Sequence, residues 1–303
     1  MRRYNRRHDD METATLPSEA VFRHFGVRLV EELGGRLNRH WQVERGNERF
    51  VLRLWAPVWV ETMDYEVRLL ERLAGLGWPV ASIVGEPFEW DGYTWSLSRF
   101  LEGEPASLEN PAKEQRRRGR LLAQLHEDLK TLDGFGQRGV WRRCEQILAD
   151  ETLDQLLSEH EARHSEGIGI IRWHLERARG RTAEMDLRNQ SGMVIHGDFT
   201  HWNLRFSGGQ LSGILDFELA HLDHRVGEFA LAWRGKYDEV VLGYDEVAPL
   251  SEQEWQLLTP IWWAFLIEES CQALRRGEGL DEWSTKKLLQ RSPLMGTDSA
   301  EFR

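Results

Sequence analysis

The residues best placed to do chemistry in this chain lie between Val194 and Phe217: Val194-Ile-His-Gly-Asp-Phe-Thr-His-Trp-Asn-Leu-Arg-Phe206, then Ser207-Gly-Gly-Gln210, then Leu211-Ser-Gly-Ile-Leu-Asp-Phe217. Apolar runs on both sides of Gly208-Gly209 are the signature of a hairpin. Such a hairpin places Asn203 near its start and Asp216 at its far end on adjacent strands, where an amide oxygen and a carboxylate can share one metal ion. Hard oxygen ligands of this kind suit Mg²⁺, which takes one or two carboxylates plus water and substrate phosphate. Asp198 sits on the loop entering the hairpin. It can face a substrate hydroxyl while the metal pair faces a nucleotide, the division of labour in phosphoryl transfer.

Other elements must hold that loop. Residues 28 to 101 read as strands around one helix, with Gly46-Asn47 and Asp91-Gly92 each between runs rich in Val, Trp, Tyr and Phe. Val67, Leu69, Leu70 and Leu73 recur at helical spacing, closed by Gly75 and Gly77 with Pro79 beyond. After Gly103 the periodicity turns helical, with stripes at Leu121, Leu125, Leu129 and Leu132, at Ile147, Leu148 and Leu156, and at Ile170, Ile171 and Leu175. Ser251-Glu-Gln-Glu254 predicts a capping box, and Thr259-Pro260 predicts a second helix start. The expected fold is α+β: a flexible arm over 1–19, a sheet-based lobe over 20–102, a mostly helical lobe over 103–291 and a flexible tail over 292–303.

Composition narrows the function classes. With 303 residues, 41% apolar and 10% aromatic, the chain has material for packed cores and about two domains. Lys plus Arg is 39 against 50 acidic residues, a formal charge of −11, which disfavours nucleic acid as a partner. Cys144 and Cys271, the only two cysteines, form no metal or disulfide pattern and are expected to be inert packing residues in a reducing cytoplasm. No apolar run reaches the roughly 18 to 20 residues of a membrane span. The N-terminal MRRYNRRHDD carries charge without an apolar stretch or cleavage site, so it reads as an arm and not as a secretory signal.

The string HGDxxxxN from His196 to Asn203, followed by Ile-Leu-Asp-Phe ending at Asp216, resembles the catalytic and metal-binding loops of the aminoglycoside phosphotransferase and choline kinase family. That family is a branch of the protein-kinase-like fold, which implies an α+β two-lobed architecture with a small antiparallel-sheet N-lobe, one main helix and a mostly helical C-lobe. Leu33-Gly-Gly-Arg-Leu-Asn38 is similar to the nucleotide loop, with Gly34 and Gly35 as its glycines. Phe50 to Leu54 resembles the strand bearing the phosphate-binding cation, here Arg53, with Glu66 as its helix partner. Leu97 to Gly103, including Ser98 and Phe100, resembles the hinge whose backbone receives adenine, and Leu121 to His126 the helix that follows. The resemblance implies Asp198 as the residue that accepts or orients the hydroxyl proton, Asn203 and Asp216 as Mg²⁺ ligands, and ATP or GTP as co-substrate. The family commonly has Lys where Arg53 stands, and often Asp where Glu228 stands. Against eukaryotic protein kinases, HGD replaces HRD, Asp216-Phe-Glu replaces DFG and no Ala-Pro-Glu follows, which implies a small-molecule acceptor and no protein substrate.

Further residues carry weaker signals. Trp262, Phe265 and Glu269 follow i, i+3, i+7 spacing, a face able to bind an amine, and Asp223 is a similar candidate. The expected acceptor is therefore a small amine-bearing hydroxyl compound such as an aminoglycoside-like molecule. His196 is expected to orient the loop, His201 to face solvent or stack, and Arg116-Arg117-Arg118 to form a solvated helix face. One rival takes His196, Asp198 and His201 as ligands of a metal-dependent phosphoesterase, with His221, Asp223 and His224 as the second cluster. A second rival is a non-catalytic nucleotide-binding pseudokinase.

Overall fold

The computed structural model describes residues 16–35, 38–139, 141–185, 187 and 192–296. They form two compact units, one comprising residues up to Ala106 with Trp202–Glu218, the other Ser107–His201 with the chain from Leu219 onward.

The first unit is built on an antiparallel sheet of five strands, β1 (Arg28–Gly34), β2 (Arg39–Arg45), β3 (Glu48–Leu54), β4 (Phe88–Trp90) and β5 (Tyr93–Arg99), in the order β1-β2-β3-β5-β4. Both expected hairpin turns form. Asp91 (φ 53°) and Gly92 (φ 77°) supply the two left-handed residues of a tight β4–β5 turn, and Gly46 (φ 60°) turns β2 into β3. Trp41, Val43, Phe50, Leu52, Trp95 and Leu97 bury one face, closed by Val21 and Phe25 of the helix Glu19–Phe25. The helix Met63–Gly75 covers the expected stripe and buries Tyr65, Glu66, Leu69, Leu70 and Leu73.

The hairpin expected to carry Asn203 and Asp216 belongs to this sheet unit, a departure from the expected boundary at residue 103. Its strands Leu204–Ser207 and Gln210–Ile214 turn at Gly208 (φ 55°) and Gly209 (φ 77°). The first pairs with Glu104–Pro105, and Ile214 N donates to Pro79 O at 2.8 Å. Such pairing joins residues a hundred positions apart, which sequence order does not announce. Residues 1–15 of the expected arm lie outside the described residues, while Pro17 is buried and a helix already begins at Glu19.

The second unit is mostly helical, with long helices Pro111–Leu129, Ser165–Thr182 and Glu252–Arg276. Asn110 caps the first, its side chain accepting from Lys113 N, with Pro111 at the first helical position. That helix packs against Asp238–Asp245 at close range: a Cβ at Gly119 would lie 2.0 Å from Val240 O, and one at Gly243 2.2 Å from Arg116 O. Two corrections arise here. The Ser251 capping box forms, but Thr259-Pro260 starts no helix, because Glu252–Arg276 runs through Pro260. The missing N–H of Pro260 costs a backbone bond, and burial of the surrounding turns on Leu257, Ile261, Trp262 and Trp263 outweighs it. The expected tail is also packed at its start: Met295 is 1% exposed, and its carbonyl accepts from Thr259 Oγ1 at 3.3 Å. Both cysteines are buried, and burial pushes the Cys271 thiol up to about 12. No described helix is long and apolar enough to cross a membrane.

Candidate active site

In the sheet unit the site grows from β3. Register places Arg53 opposite His40 on β2 and Ser96 on β5, so its side chain rises from the centre of the sheet. Arg53 Nη1 donates to Glu66 Oε1 at 2.5 Å, and these side chains are 11% and 2% exposed. The guanidinium also lies 3.7 Å from the Trp55 ring centroid and 3.6 Å from Glu218 Oε2. Its Nε and Nη2 are buried and make no hydrogen bond among the described residues. Donors left in that state suit a multiply charged phosphate. The expected Arg53–Glu66 pair is therefore brought together.

Glu218 and Asn38 are partners that sequence reasoning missed. Asn38 Nδ2 donates to Glu218, and its Oδ1 accepts from Ala56 N at 2.7 Å. Burial pushes the Glu218 carboxyl up to about 8, helped by the negative charge of Asp216 and opposed by Arg53. Asp216 itself stands at φ 64°, a left-handed conformation that costs a non-glycine residue about 1 kcal/mol or more and that clusters at functional sites. Asn203 is 6% exposed, and its carbonyl accepts from Leu215 N at 2.8 Å, which seats it beside the segment carrying Asp216. Asn203 and Asp216 offer hard oxygen donors in a region of excess negative charge, so the donor set fits Mg²⁺.

Gly34 and Gly35, the expected nucleotide-loop glycines, are needed where they stand. Gly34 has φ 80° and Gly35 φ 135°, and a Cβ at Gly35 would lie 1.9 Å from Asn38 O. Arg36 and Leu37 fall outside the described residues. The hinge residues are placed differently from expectation. Ser98 lies inside the sheet, opposite Val51 and bridged to Ile83, and the Phe100 N–H donates to Arg49 O at 3.4 Å. Strand β5 runs to Arg99, so unpaired hinge backbone begins later than Ser98.

In the helical unit, Asp198 stands on a loop that follows the short strand Met193–Ile195. Glu228, fully buried, anchors that loop: its carboxylate accepts from His196 N at 2.7 Å, Gly197 N at 3.0 Å and Phe199 N at 3.3 Å. Burial alone would raise this carboxyl. The His126 hydrogen bond, the neighbouring imidazoles and the Gly197 N–H outweigh burial and hold it below the usual range. Glu in place of the family's Asp thus still reaches the loop. His196 is buried and its Nδ1 accepts from Asp198 N at 3.2 Å, the orienting role expected of it. Burial lowers the pKa of His201, which is only partly exposed, and the Arg118 charge adds to the effect.

Arg118 corrects the reading of the arginine run as a solvated face. It is 2% exposed, pairs with Glu114, and donates to Phe199 O at 3.1 Å and Ala232 O at 3.2 Å. It ties the Asp198 loop to the helix Phe229–Ala232. The i, i+4 spacing of Glu114 and Arg118 was the available signal, but the same spacing occurs on solvated faces. Arg234 was missed outright. It stands at φ 53°, and its Nη2 lies 3.4 Å from Asp198 Oδ1.

The acceptor candidates do not assemble as one open face. Trp262 is fully buried and stacks on Phe265 with centroids 6.0 Å apart, whereas Glu269 is exposed. Asp223 is committed to a buried network, accepting from His224 N at 2.7 Å with Arg143 Nε 3.5 Å away. His224 in turn pairs with Glu145. Among the described residues no group of three or more His, Cys, Asp or Glu side chains is placed to hold a metal, so the double histidine–aspartate cluster of the phosphoesterase rival is not assembled.

Comparison with known proteins gives the same direction. The family described as "Phosphotransferase enzyme family" matches residues 30–256. A homoserine kinase of Polaromonas naphthalenivorans (strain CJ2) is 25% identical over 249 residues, covering 74% of each chain. The chain superposes on a thermostable mutant of aminoglycoside phosphotransferase APH(4)-Ia with TM-score 0.66 at 15% identity, over 93% of this chain and 99% of that one. It superposes on a microcompartment-associated aminopropanol kinase with TM-score 0.64 at 16% identity, over 86% and 87%. At these identities the two structures establish the protein-kinase-like fold.

Proposed function

This chain belongs to the phosphotransferase enzyme family, and we propose that it moves the γ-phosphoryl group of ATP, or of GTP, to a hydroxyl of a small molecule. The observation that carries this reading is Arg53: a buried guanidinium, held by Glu66, with two nitrogens that make no hydrogen bond among the described residues. The phosphoesterase rival lacks an assembled metal cluster among the described residues. The APH(4)-Ia enzyme, solved with ADP and hygromycin B, is consistent with a nucleotide co-substrate.

In this reading Arg53 binds nucleotide phosphate and Glu66 fixes its orientation. Asn203 and Asp216 would hold Mg²⁺, which when bound would supply charge neutralisation at the phosphate oxygens. Asp198 accepts or orients the acceptor's hydroxyl proton, on a loop kept in place by Glu228, His196 and Arg118. The rest of the catalytic effect is positioning. Of the arguments for an amine on the acceptor, the net charge of −11 still stands, while Trp262, Phe265 and Glu269 no longer form one face. The intact Asp198, Asn203 and Asp216 speak against a pseudokinase.

The test is ATP consumption against a panel of small hydroxyl compounds, with and without Mg²⁺. Asp198→Ala should lower turnover by about two to four powers of ten with nucleotide affinity nearly unchanged. Equal rates in Asp198→Ala and wild type would remove Asp198 from the chemistry.

A further inference from the structure

Resting on that kinase reading, we propose that Arg234 binds an anionic group of the acceptor, so that the acceptor is a compact hydroxy acid or hydroxy amino acid carrying a carboxylate. The geometry points to this in three ways. First, Arg234 Nη2 lies 3.4 Å from Asp198 Oδ1, and the side chains are 21% and 15% exposed. A molecule that brings its hydroxyl to Asp198 therefore meets a guanidinium in the same place. A guanidinium matches a carboxylate with paired hydrogen bonds.

Second, Arg234 holds its position against backbone preference. It is one of three non-glycine residues with positive φ among those described, and Gly235 follows it at φ 61°. Gln290 Nε2 donates to Arg234 O at 2.7 Å, and Arg234 Nε donates to Leu231 O at 2.9 Å. A glycine would adopt this conformation without strain, and the strained residue is the one whose side chain reaches the catalytic carboxylate.

Third, a second donor stands next to it. The Trp262 indole N–H is buried and makes no hydrogen bond among the described residues. A Cβ at Gly235 would lie 2.7 Å from that nitrogen, so the indole abuts the backbone immediately after Arg234. A guanidinium beside the general base, with a further donor next to its backbone, favours an acceptor rich in oxygen lone pairs. Ordinary hydrogen-bond lengths to Asp198 and Arg234 put the reacting hydroxyl and the anionic group within about 9 Å of one another. The acceptor charge inferred here is opposite in sign to the one expected from Glu269, which is exposed.

The experiment uses matched acceptors that differ in one carboxylate: homoserine against 3-aminopropan-1-ol, and 4-hydroxybutanoate against 4-hydroxybutanamide. ADP release with MgATP is measured for wild type, Arg234→Ala, Arg234→Lys and Arg234→Gly. Wild type should favour the carboxylate member by about 100-fold in kcat/KM, the size of a charged hydrogen-bonded contact. That preference should vanish in Arg234→Ala and Arg234→Gly, mostly through KM, and survive in part in Arg234→Lys. Arg234→Gly relieves the left-handed backbone, so an unfolding temperature at or above that of Arg234→Ala shows that the loss is not one of folding. Equal losses on both members of a pair, or a wild type indifferent to the carboxylate, would overturn the proposal. ADP release only with acceptors lacking an anionic group overturns it while the kinase reading stands; release with none of them removes both.

Discussion

Arg53 Nη1 donates to Glu66 Oε1 at 2.5 Å in a setting where neither side chain is more than 11% exposed. Two consequences separate. Arg53→Ala removes the cation proposed to bind phosphate and deprives buried Glu66 of that ion pair, so it should weaken MgATP binding and lower stability by about 3 kcal/mol or more. Glu66→Ala should weaken MgATP binding less, because Glu218 still faces the guanidinium. Calorimetry with nucleotide and chemical denaturation of both variants checks the order. Unchanged nucleotide affinity in Arg53→Ala would move the phosphate contact elsewhere.

Asp216 combines a carboxylate with a left-handed backbone, and its substitutions can be chosen to separate the two. Asparagine tolerates that conformation, so Asp216→Asn should fold as wild type does. Its Mg²⁺-dependent gain in nucleotide affinity should fall by at least the roughly 10-fold that losing an outer-shell partner costs. Titration of nucleotide with and without Mg²⁺ is the measurement, and an undiminished Mg²⁺ effect would exclude Asp216 as a ligand.

Glu228 accepts from three backbone N–H groups of the Asp198 loop. Glu228→Ala leaves those donors buried and unmatched, at a cost of about 3 kcal/mol. The folded-state carboxyl lies below its ordinary value, so its stabilisation is present above the unfolded pKa and is lost as pH falls through the folded one. Glu228→Gln should lack that acid-side loss and turn over more slowly with an unchanged KM for nucleotide. Denaturation midpoints between pH 3 and 7, with steady-state kinetics, test both statements.

His40 sits opposite Arg53 in the sheet, and burial, with the Arg53 charge adding to it, lowers its pKa to about 4. Protonation then favours the unfolded chain: stability is complete above about pH 6.5 and falls as pH drops from there toward 4. The loss attributable to His40 is at most about 3 kcal/mol, at about 1.4 kcal/mol for each pKa unit. His40→Gln should flatten this part of the stability curve by about one proton. His174, buried and likewise lowered to about 4 by burial, should leave a residual slope of the same sign. A curve for His40→Gln that parallels wild type would show that the imidazole is not shielded as described.

Much of this protein was readable from local chemistry. Asp91-Gly92 and Gly208-Gly209 specify their turns because few residues accept positive φ, and the Met63–Gly75 helix follows from an apolar stripe at i, i+3, i+4. The order of His196, Asp198, Asn203 and Asp216 carried the resemblance to the phosphotransferase family to which the chain belongs. That resemblance also implied Arg53 and Glu66 as partners, and the two side chains do meet.

What tertiary structure decided is which charges leave water and which distant segments meet. Arg118 and Arg116 belong to one basic run, yet Arg118 is buried and donates to the Asp198 loop at Phe199 O, while Arg116 pairs with Glu239 and Glu246 at the surface. Thr259-Pro260 obeys the local rule for a helix start and is overruled by the burial around it. The 204–214 hairpin joins the sheet unit through Glu104–Pro105, a pairing with no local signal. Arg234 is 36 residues from Asp198 in the chain, and its neighbours in sequence say nothing of a carboxylate. Local propensity acts over a few residues; desolvation and long-range pairing depend on the whole packed chain, and they placed Glu218 beside Arg53 and brought Arg118 and Arg234 to the Asp198 loop.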